Sequence, residues 1–412
     1  MNKIKLYQLL QKEIDSLKKS KVSKHEEKII EGFTHTGIPK AIIGKNKYLI
    51  FNSNDYLGLR HHPSLIRAEG KSSRQYGTGP GAVRFISGTL KIHKQLEKAI
   101  AKFHQRDDAI VFSSAFAANL AVIFCFVQGR GKDSLLSEGV VVISDMLNHR
   151  SIIDGIRLAG LPKEKRAVFA HLDLADLERT LEENLQSNKR AIVVTDGIFS
   201  MLGEYQKIEK MRKIVDFYDK KYEMGVLLII DDSHGVGAFG KTGRGVEEVE
   251  NAVGDILVGT FGKSFGADGG YAVGDQVLID YLRESAATYI FSNSISPGTA
   301  GAAKQAVELL DKKDGKKLLA KLRDNIEYFN QKAVKFGFQF AADSIHPIQP
   351  LLIGDPVKTK KVVDRLYKRN ILVTNISFPV VPKGRDEIRI QLSASHRQGD
   401  IDNLLSSLKN IL

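Results

Sequence analysis

The chain has few of the residues and segments that mark secreted or membrane proteins. Of its 412 residues one is cysteine and none is tryptophan. The single cysteine, Cys125, excludes a disulfide framework within the chain, which fits a reducing compartment. No apolar stretch is long enough to indicate a secretory signal or a membrane-spanning helix. The sequence therefore predicts a cytoplasmic protein without stable membrane insertion.

The bulk composition is that of an ordinary globular protein. Hydrophobic residues make up 42% and charged residues 26%. The length suits one large domain with a smaller one. The formal net charge of +13 favours polyanionic partners, including phosphate-rich small molecules. Nucleic acid is not predicted as a partner, because no basic patch contains interspersed aromatic residues.

The first segment combines lysines with apolar residues at helical spacing. This spacing predicts an amphipathic helix with a solvated lysine face. The apolar positions are Ile4, Leu6, Leu9, Leu10, Ile14 and Leu17.

Short apolar runs alternate with longer helical patterns through the middle of the chain. The predicted strands cover residues 109–112, 140–144, 167–170, 191–195, 226–231, 256–260 and 271–273. The predicted helices cover residues 90–104, 174–186, 208–222 and 276–284. Such alternation indicates an α/β domain with a mostly parallel sheet.

After Pro297 the pattern changes to long helices followed by short strands. Helical patterns at 300–310 and 316–336 precede strands at 348–353, 371–373 and 387–390 and a final helix at 398–412. We expect a smaller α+β domain here. The predicted organisation is an N-terminal helix and extension (1–60), a large domain (61–296) and a small C-terminal domain (297–412).

One lysine, Lys263, lies between small residues directly after the apolar run 255–258. These surroundings suit a lysine that lies against a flat ring and whose amine can leave water. Such an amine has a lowered pKa and acts as a nucleophile and a base. A glycine-rich turn with a solvated lysine is the alternative.

Polar residues follow several predicted strands, at the sheet edge where open α/β sheets bind ligands. Asp231 ends one strand, with His234 three residues further on. His149 and Ser200 follow two other strands. Asp231 and His234 are compatible with a metal, but no third ligand has matching spacing, so no metal is predicted. His149 is also compatible with an ordinary loop histidine.

The strand at 109–112 leads into a helix that starts with small residues. Ser113 or Ser114 can cap this helix. Free backbone N–H groups at a helix start can also bind phosphate. Together with Lys263 and Asp231, this segment indicates a pocket for a flat, anionic, pyridine-type cofactor. The carboxylate would keep the pyridine nitrogen protonated, and the lysine would form a Schiff base.

The chain resembles the α-oxoamine synthase family of fold-type I pyridoxal-phosphate (PLP) enzymes from about residue 30 onward. The matching positions are Asn54 to Leu59, Gly88-Thr89 with His93 and Leu96-Glu97, Asn148-His149 with Ser151 to Gly155, Asp196 to Met201, Asp231 to His234, Thr260 with Gly262-Lys263, and Phe291 to Ser294. The resemblance implies a PLP-dependent transferase with a large, mostly parallel sheet domain and a smaller α+β C-terminal domain.

The resemblance also implies roles for individual residues. The expected catalytic residues are Lys263 (Schiff base), His149 (stacking on the cofactor), Asp231 (pyridine nitrogen) and His234 (phenolic oxygen). The other expected cofactor contacts are Ala115, Phe116 and Thr260 at the phosphate, Ser200 in the pocket, and Ser292 and Asn293 from a neighbouring subunit. The expected substrate contacts are Asn54 and Arg389, whose guanidinium would bind the amino-acid carboxylate bidentately.

The implied reaction condenses an amino acid with an acyl-CoA and releases CoA, carbon dioxide and an aminoketone. The runs 83–89 and 291–294 resemble members that use glycine and acetyl-CoA. The runs 53–56 and 115–119 resemble the biotin-pathway member. Longer acyl chains, and an aminotransferase that does not use CoA, are the alternatives. A homodimer with shared active sites is expected.

Three positions depart from the family pattern. Leu202 follows Ser200-Met201 where an acidic residue is usual, and Arg150 follows His149 where a small residue is usual. The segment 125–139 is several residues longer. We interpret this insertion as a surface loop, because loops tolerate added residues.

Overall fold

The computed structural model describes residues 2–19, 27–131, 134–136, 138–378 and 380–412. The chain divides into two compact units, Met1–Ile50 and Phe51–Leu412. Part of the inserted segment, at positions 132, 133 and 137, lies outside the described residues.

The first unit contains a helix and three short strands. The helix α1 spans Asn2–Lys19 and confirms the helical prediction for this segment. Its apolar side chains are 43% to 60% exposed at the six predicted positions. The strands β1 (Gly32–Phe33), β2 (Ala41–Ile43) and β3 (Asn46–Ile50) pair antiparallel in chain order.

The second unit alternates helices and strands. Its first part contains α2 (Pro63–Tyr76), α3 (Lys91–His104), β4 (Asp108–Phe112), α4 (Ala115–Gln128), β5 (Val140–Asp145), α5 (Arg150–Leu158), β6 (Arg166–Phe169), α6 (Leu174–Leu185), β7 (Arg190–Asp196), α7 (Ile208–Asp219), β8 (Val226–Asp231), α8 (Val246–Glu250), β9 (Ile256–Thr260), β10 (Gly270–Gly274), α9 (Gln276–Ser285) and α10 (Ala287–Ile290). All seven predicted strands of this part are confirmed, within one residue at each end.

These strands form one seven-stranded sheet in the order β4-β10-β9-β8-β7-β5-β6. Strand β10 is antiparallel to both neighbours, whereas β9, β8, β7, β5 and β6 pair in parallel. The strands are apolar along their length, as expected for a sheet covered on both faces. The parallel strands bring their carboxyl ends to one edge.

The helix α4 packs against β4, β9, β10 and the helix α5. It is apolar around its circumference and carries the buried residues Ala118, Val122, Ile123 and Phe126. A helix of this composition needs cover on all sides. Its position inside the core fixes where its first turn meets the sheet edge.

The rest of the second unit consists of α11 (Pro297–Leu310), α12 (Lys313–Lys335), β11 (Ile348–Leu352), α13 (Pro356–Lys368), β12 (Ile371–Leu372), β13 (Thr374–Ile376), β14 (Glu387–Gln391) and α14 (Gln398–Lys409). A three-stranded antiparallel sheet runs in the order β11-β14-β13. This confirms a smaller C-terminal part with an antiparallel sheet. The boundaries 1–60, 61–296 and 297–412 stay predictions.

The helix α13 has no counterpart among the predicted elements, although Asp355 caps it and Pro356 begins it. Within the described residues, no helix has the length and apolarity needed to cross a membrane.

Candidate active site

A cavity of about 230 Å³ opens at the carboxyl edge of the parallel strands. Every residue predicted for the cofactor from the chain's own subunit lies in its wall. The lining residues are Ser114, Ala115, Phe116, Asn119, His149, Ser151, Asp196, Ile198, Ser200, Asp231, Ser233, His234, Thr260 and Lys263. The strand ends converge here because β5, β7, β8 and β9 run in the same direction.

Lys263 lies in a tight loop between β9 and β10. The loop is closed by backbone hydrogen bonds from Phe261 N–H to the Gly269 carbonyl and from Gly266 N–H to the Lys263 carbonyl, both 3.0 Å. Gly266 has a φ of 64°, and a Cβ there would lie 2.3 Å from the backbone nitrogen of Arg60. Glycine is therefore required to place Lys263.

Burial lowers the pKa of the Lys263 amine to about 8, although the nearby Asp231 and Asp196 act in the opposite direction. The positive Arg389 adds to the lowering. An amine with this pKa is partly neutral near physiological pH and can act as a base. The catalytic role of Lys263 stays a prediction.

Asp231, at the end of β8, belongs to a chain of hydrogen bonds. Asn119 Nδ2 donates to Asp231 Oδ2 at 2.5 Å and contacts Ser151 Oγ at 2.8 Å. Ser151 Oγ lies 2.7 Å from His149 Nδ1. The backbone N–H of Ser233 donates to Asp231 Oδ1 at 3.0 Å. The carboxylate and the His149 ring are therefore held by one network.

A second carboxyl, Asp196, pairs with Asp231 across β7 and β8. Burial raises the pKa of Asp196 well above its usual value, and the charge of Asp231 adds to this. Two carboxyl groups in different environments can hold different protonation states at one pH. Asp196 also accepts a 3.3 Å hydrogen bond from the backbone N–H of His149.

The surroundings of His234 and His149 favour the neutral form of both imidazole rings. Burial lowers the pKa of His234 well below its usual value, with Lys263 and Arg389 adding to the shift. Desolvation also lowers the pKa of His149, a residue that lines the cavity and stays partly exposed. His234 Nδ1 lies 2.8 Å from the Tyr56 hydroxyl. When Tyr56 donates this bond, His234 Nε2 carries the proton.

The first turn of α4 offers donors for an anion. Ser114 Oγ accepts from the N–H of Ala117 at 3.1 Å. The N–H groups of Ala115 and Phe116 have no acceptor within the helix, because the first turn has none. Both residues line the cavity. The macrodipole of the helix favours negative charge at this end.

Gly270 of β10 allows the first turn of α4 to lie close to the sheet. A Cβ at this position would lie 2.1 Å from the Ala115 nitrogen and 2.3 Å from the Ser114 carbonyl carbon. These are backbone atoms, so a side chain at 270 would displace the start of α4. The glycine thus fixes the distance between the helix N-terminus and the sheet.

Asn54 and Arg389 lie outside the cavity wall, in an adjoining polar cluster. Asn54 Oδ1 lies 3.2 Å from the Tyr56 hydroxyl, whose single proton serves either this oxygen or His234 Nδ1, and 2.5 Å from the side-chain amide of Gln391. Arg389 of β14 is 9% exposed, and its Nε is buried without a hydrogen-bond partner in the part of the chain described. Burial lowers its pKa. Tyr56 connects this cluster to His234.

The remaining predicted residues are placed differently. Thr260 Oγ1 donates to the Gly269 carbonyl at 2.9 Å and accepts from Gly262 N–H at 3.1 Å, so its proton is used within the loop. Ser292 and Asn293 do not line the cavity of the single chain. Their contribution to a neighbouring subunit stays a prediction.

Asn119, Ser151 and Tyr56 were not singled out from the sequence as site residues. Asn119 belongs to a run of small and apolar residues, and Tyr56 is 178 residues from its partner His234. Ser151 and Tyr56 do lie within the segments that resemble the α-oxoamine synthases, and Ser151 is two residues after His149. This proximity was the sequence signal that pointed to Ser151.

The residues of the cavity fit PLP. The α4 N-terminus suits a phosphate, the Asp231 carboxylate suits a protonated ring nitrogen, and Lys263 suits the aldehyde carbon. Asn119 Oδ1 and Ser233 Oγ are buried in this wall without a hydrogen-bond partner among the described residues. Orphaned buried atoms of this kind are expected where a polar ligand completes a site.

Comparisons with known proteins show which family the chain belongs to. Residues 46–408 match the model of the family described as aminotransferase class I and II. The chain is 39% identical to an 8-amino-7-oxononanoate synthase of Petrotoga mobilis over 90% of this chain and 89% of the relative. It is 38% identical to the mitochondrial 2-amino-3-ketobutyrate coenzyme A ligase of Bos taurus over 91% and 84%.

Among solved structures, a serine palmitoyltransferase of Sphingomonas wittichii superposes with a TM-score of 0.86 at 26% identity. The alignment covers 98% of this chain and 96% of that one. The chain therefore belongs to the aminotransferase class I and II family, and within it to the PLP-dependent α-oxoamine synthases.

Proposed function

We propose that the protein condenses a small amino acid with an acyl-CoA. The proposed preferred substrates are glycine and acetyl-CoA. The main support is the pairing of Lys263, an amine whose pKa is about 8, with Asp231 in one cavity beside Arg389. Both curated relatives named above align over more than four fifths of their own length. Their names give different amino-keto acids, 8-amino-7-oxononanoate and 2-amino-3-ketobutyrate.

In the reaction a new carbon–carbon bond joins the α-carbon of the amino acid to the acyl carbonyl carbon. The CoA thiolate leaves, and the carboxylate is lost as carbon dioxide. When bound, PLP supplies a protonated pyridine ring that takes up the electrons released at the α-carbon.

The side chains of the cavity supply the acid–base steps. The neutral Lys263 amine accepts the α-proton and can return it, because its pKa is close to the operating pH. Asp231 keeps the ring nitrogen protonated. His149 covers one side of the cavity, and Arg389 binds the amino-acid carboxylate through paired donors.

A thiol-release panel tests this proposal. Glycine, alanine and serine are each mixed with short-chain, dicarboxylic and long-chain acyl-CoAs, and free thiol is followed over time. We expect the fastest release with glycine and acetyl-CoA, and none from the Lys263→Ala protein. A best rate with a longer acyl-CoA would support the biotin-pathway alternative instead.

The same preparation separates this activity from that of an aminotransferase. An aminotransferase would convert an amino acid with a 2-oxo acid and release no thiol. Amino-group transfer to 2-oxo acids without thiol release from any acyl-CoA would contradict the proposal.

We further propose a cytoplasmic homodimer in which Ser292 and Asn293 reach the phosphate seat of the neighbouring subunit. Asn293 and Phe291, two residues before it, are exposed on the single chain, Phe291 by 78%. Exposed apolar side chains beside polar ones are typical of an interface.

A further inference from the structure

A short hairpin carries Ser200 into the cavity wall. It spans residues 197–206 and follows β7 directly. An antiparallel bridge joins Ile198 to Tyr205. Phe199 N–H donates to the Glu204 carbonyl at 2.9 Å, and Gly203 N–H donates to the Phe199 carbonyl at 2.9 Å. Ser200 lies at the tip, between these bonds, and lines the cavity.

One histidine joins this hairpin to the sheet. His171 follows β6 and is 19% exposed. Its Nδ1 lies 2.9 Å from Asp145 Oδ1 at the end of β5, and its Nε2 lies 3.2 Å from Glu204 Oε2 on the hairpin. The ring also meets Phe199 edge-on, with centroids 4.3 Å apart. His171 thus contacts both strands of the hairpin.

The Asp145 end of this contact is rigid. Asp145 is fully buried, and its carboxylate also accepts from the N–H groups of Leu147 at 2.8 Å and Leu172 at 3.1 Å. At the hairpin end, the Glu204 side chain is 25% exposed. On its other side, Ser344 Oγ lies 3.1 Å from the carbonyl oxygen of Gly203.

We propose that His171 is a positioning residue, which as an imidazolium between Asp145 and Glu204 holds the hairpin so that Ser200 faces the cofactor. Both ring nitrogens must be donors for both carboxylates to accept from them, so only the charged ring makes the two contacts. The inference rests on the proposed function for the role of Ser200, but not on the identity of the substrates.

The electrostatic surroundings support the charged state. Burial acts to lower the pKa of His171, but Asp145 and Glu204 outweigh it and raise the pKa to about 9. The next titratable groups are also acidic. Asp145 acts on Asp196 of β7, and Glu204 acts on Glu387 of β14, a buried carboxyl whose pKa burial raises to about 8.

The test measures PLP binding to the His171→Gln protein by the absorbance of the bound cofactor. We expect binding to weaken by about tenfold, since hydrogen bonds to two charged groups are lost. His62→Gln is the matched control. Like His171, His62 is a half-buried histidine that makes a side-chain hydrogen bond, in its case with the Ser64 hydroxyl. It caps α2 and does not line the cavity.

A pH series and a double variant separate positioning from a general loss of stability. The ratio of the two dissociation constants, His171→Gln over wild type, should fall toward one as the pH rises through 9, because wild-type His171 then loses its proton. The titration of Lys263 affects both proteins and cancels in the ratio. Ser200→Ala should weaken binding less in the His171→Gln background than in the wild type.

A ratio that does not change with pH, or effects of the two substitutions that multiply, would overturn the proposal. If His171→Gln does not fold, Glu204→Gln removes the hairpin end of the same contact and is measured in its place. Since PLP binding needs no turnover, failure of the thiol-release panel would contradict the proposed function and leave this result intact.

Discussion

At the scale of single residues, the site depends on how the protein sets the charge of each side chain. Burial lowers the pKa of Lys263 and of His234 but raises that of Asp196. A lysine base, a neutral histidine and a protonated acid can therefore coexist within one cavity. The same groups in water would all carry charge near pH 6.

The Lys263 pKa predicts how fast the apoprotein takes up PLP at different pH values. The neutral amine is the nucleophile, so the initial rate should rise about tenfold per unit below pH 8 and level off above it. Stopped-flow absorbance after mixing apoprotein with PLP measures this rate. A plateau that begins only near pH 10 would show that the amine is not perturbed.

The Arg389→Lys substitution tests the carboxylate clamp. Lysine keeps the charge but loses the paired donors, so the KM for the amino acid should rise at least about tenfold, with a smaller change in kcat. Steady-state thiol release measures both constants. Arg190→Lys is the control, because Arg190 is buried at the opposite end of β7 and donates to the Phe126 and Val127 carbonyls. An equal KM effect in both variants would place the clamp elsewhere.

At the scale of elements, the geometry depends on how closely α4 approaches the sheet. Burial of its apolar side chains fixes the position of α4. Because Gly270 of β10 has no side chain, the first turn of α4 can lie against this strand. The phosphate seat therefore results from the packing of two elements whose contacting residues, Ser114 and Gly270, are 156 residues apart in the sequence.

Gly270→Ala should weaken PLP binding, because the new methyl group would meet the Ala115 nitrogen at 2.1 Å and displace the helix start. We expect a loss of about tenfold or more in affinity and a lower melting temperature, as overpacking costs about 1–3 kcal/mol. Titration of the apoprotein with PLP gives the affinity. Gly399→Ala on α14 is the control, since nothing lies within 4 Å of its Cβ position. Unchanged affinity would separate the helix start from phosphate binding.

At the scale of the whole molecule, the structure leaves part of the predicted site outside the cavity. Ser292 and Asn293 lie elsewhere on the surface, and apolar side chains such as Phe85, Ile86 and Phe291 are more than 60% exposed. A homodimer with shared sites would cover such residues and bring the polar pair to a second cavity.

Subunit mixing tests this arrangement. Lys263→Ala and a Ser292→Ala/Asn293→Ala double variant should each be nearly inactive alone. In a shared-site dimer, one site of each mixed dimer keeps both sets of residues, so random mixing should restore about a quarter of wild-type thiol release. Co-refolding of the two variants provides the mixture. Activity that only equals the sum of the separate proteins would place each complete site within one chain.

The sequence alone determined the strand–helix alternation, the smaller C-terminal part and the cofactor class. These depend on local periodicity and on residues next to strand ends, as with Asp231 after 226–230 and Lys263 after 256–260. Hydrophobic burial enforces these patterns locally, so they can be read from neighbouring residues.

Only the tertiary structure decided which distant side chains meet. The Asn119 contact to Asp231, the Tyr56 contact to His234 and the position of His171 between two carboxylates join residues from separate elements. No local pattern encodes these pairs, because each depends on strand order and on the depth at which helices pack. The same packing sets the burial that shifts the pKa of Lys263, which the sequence shows only as a lysine between small residues.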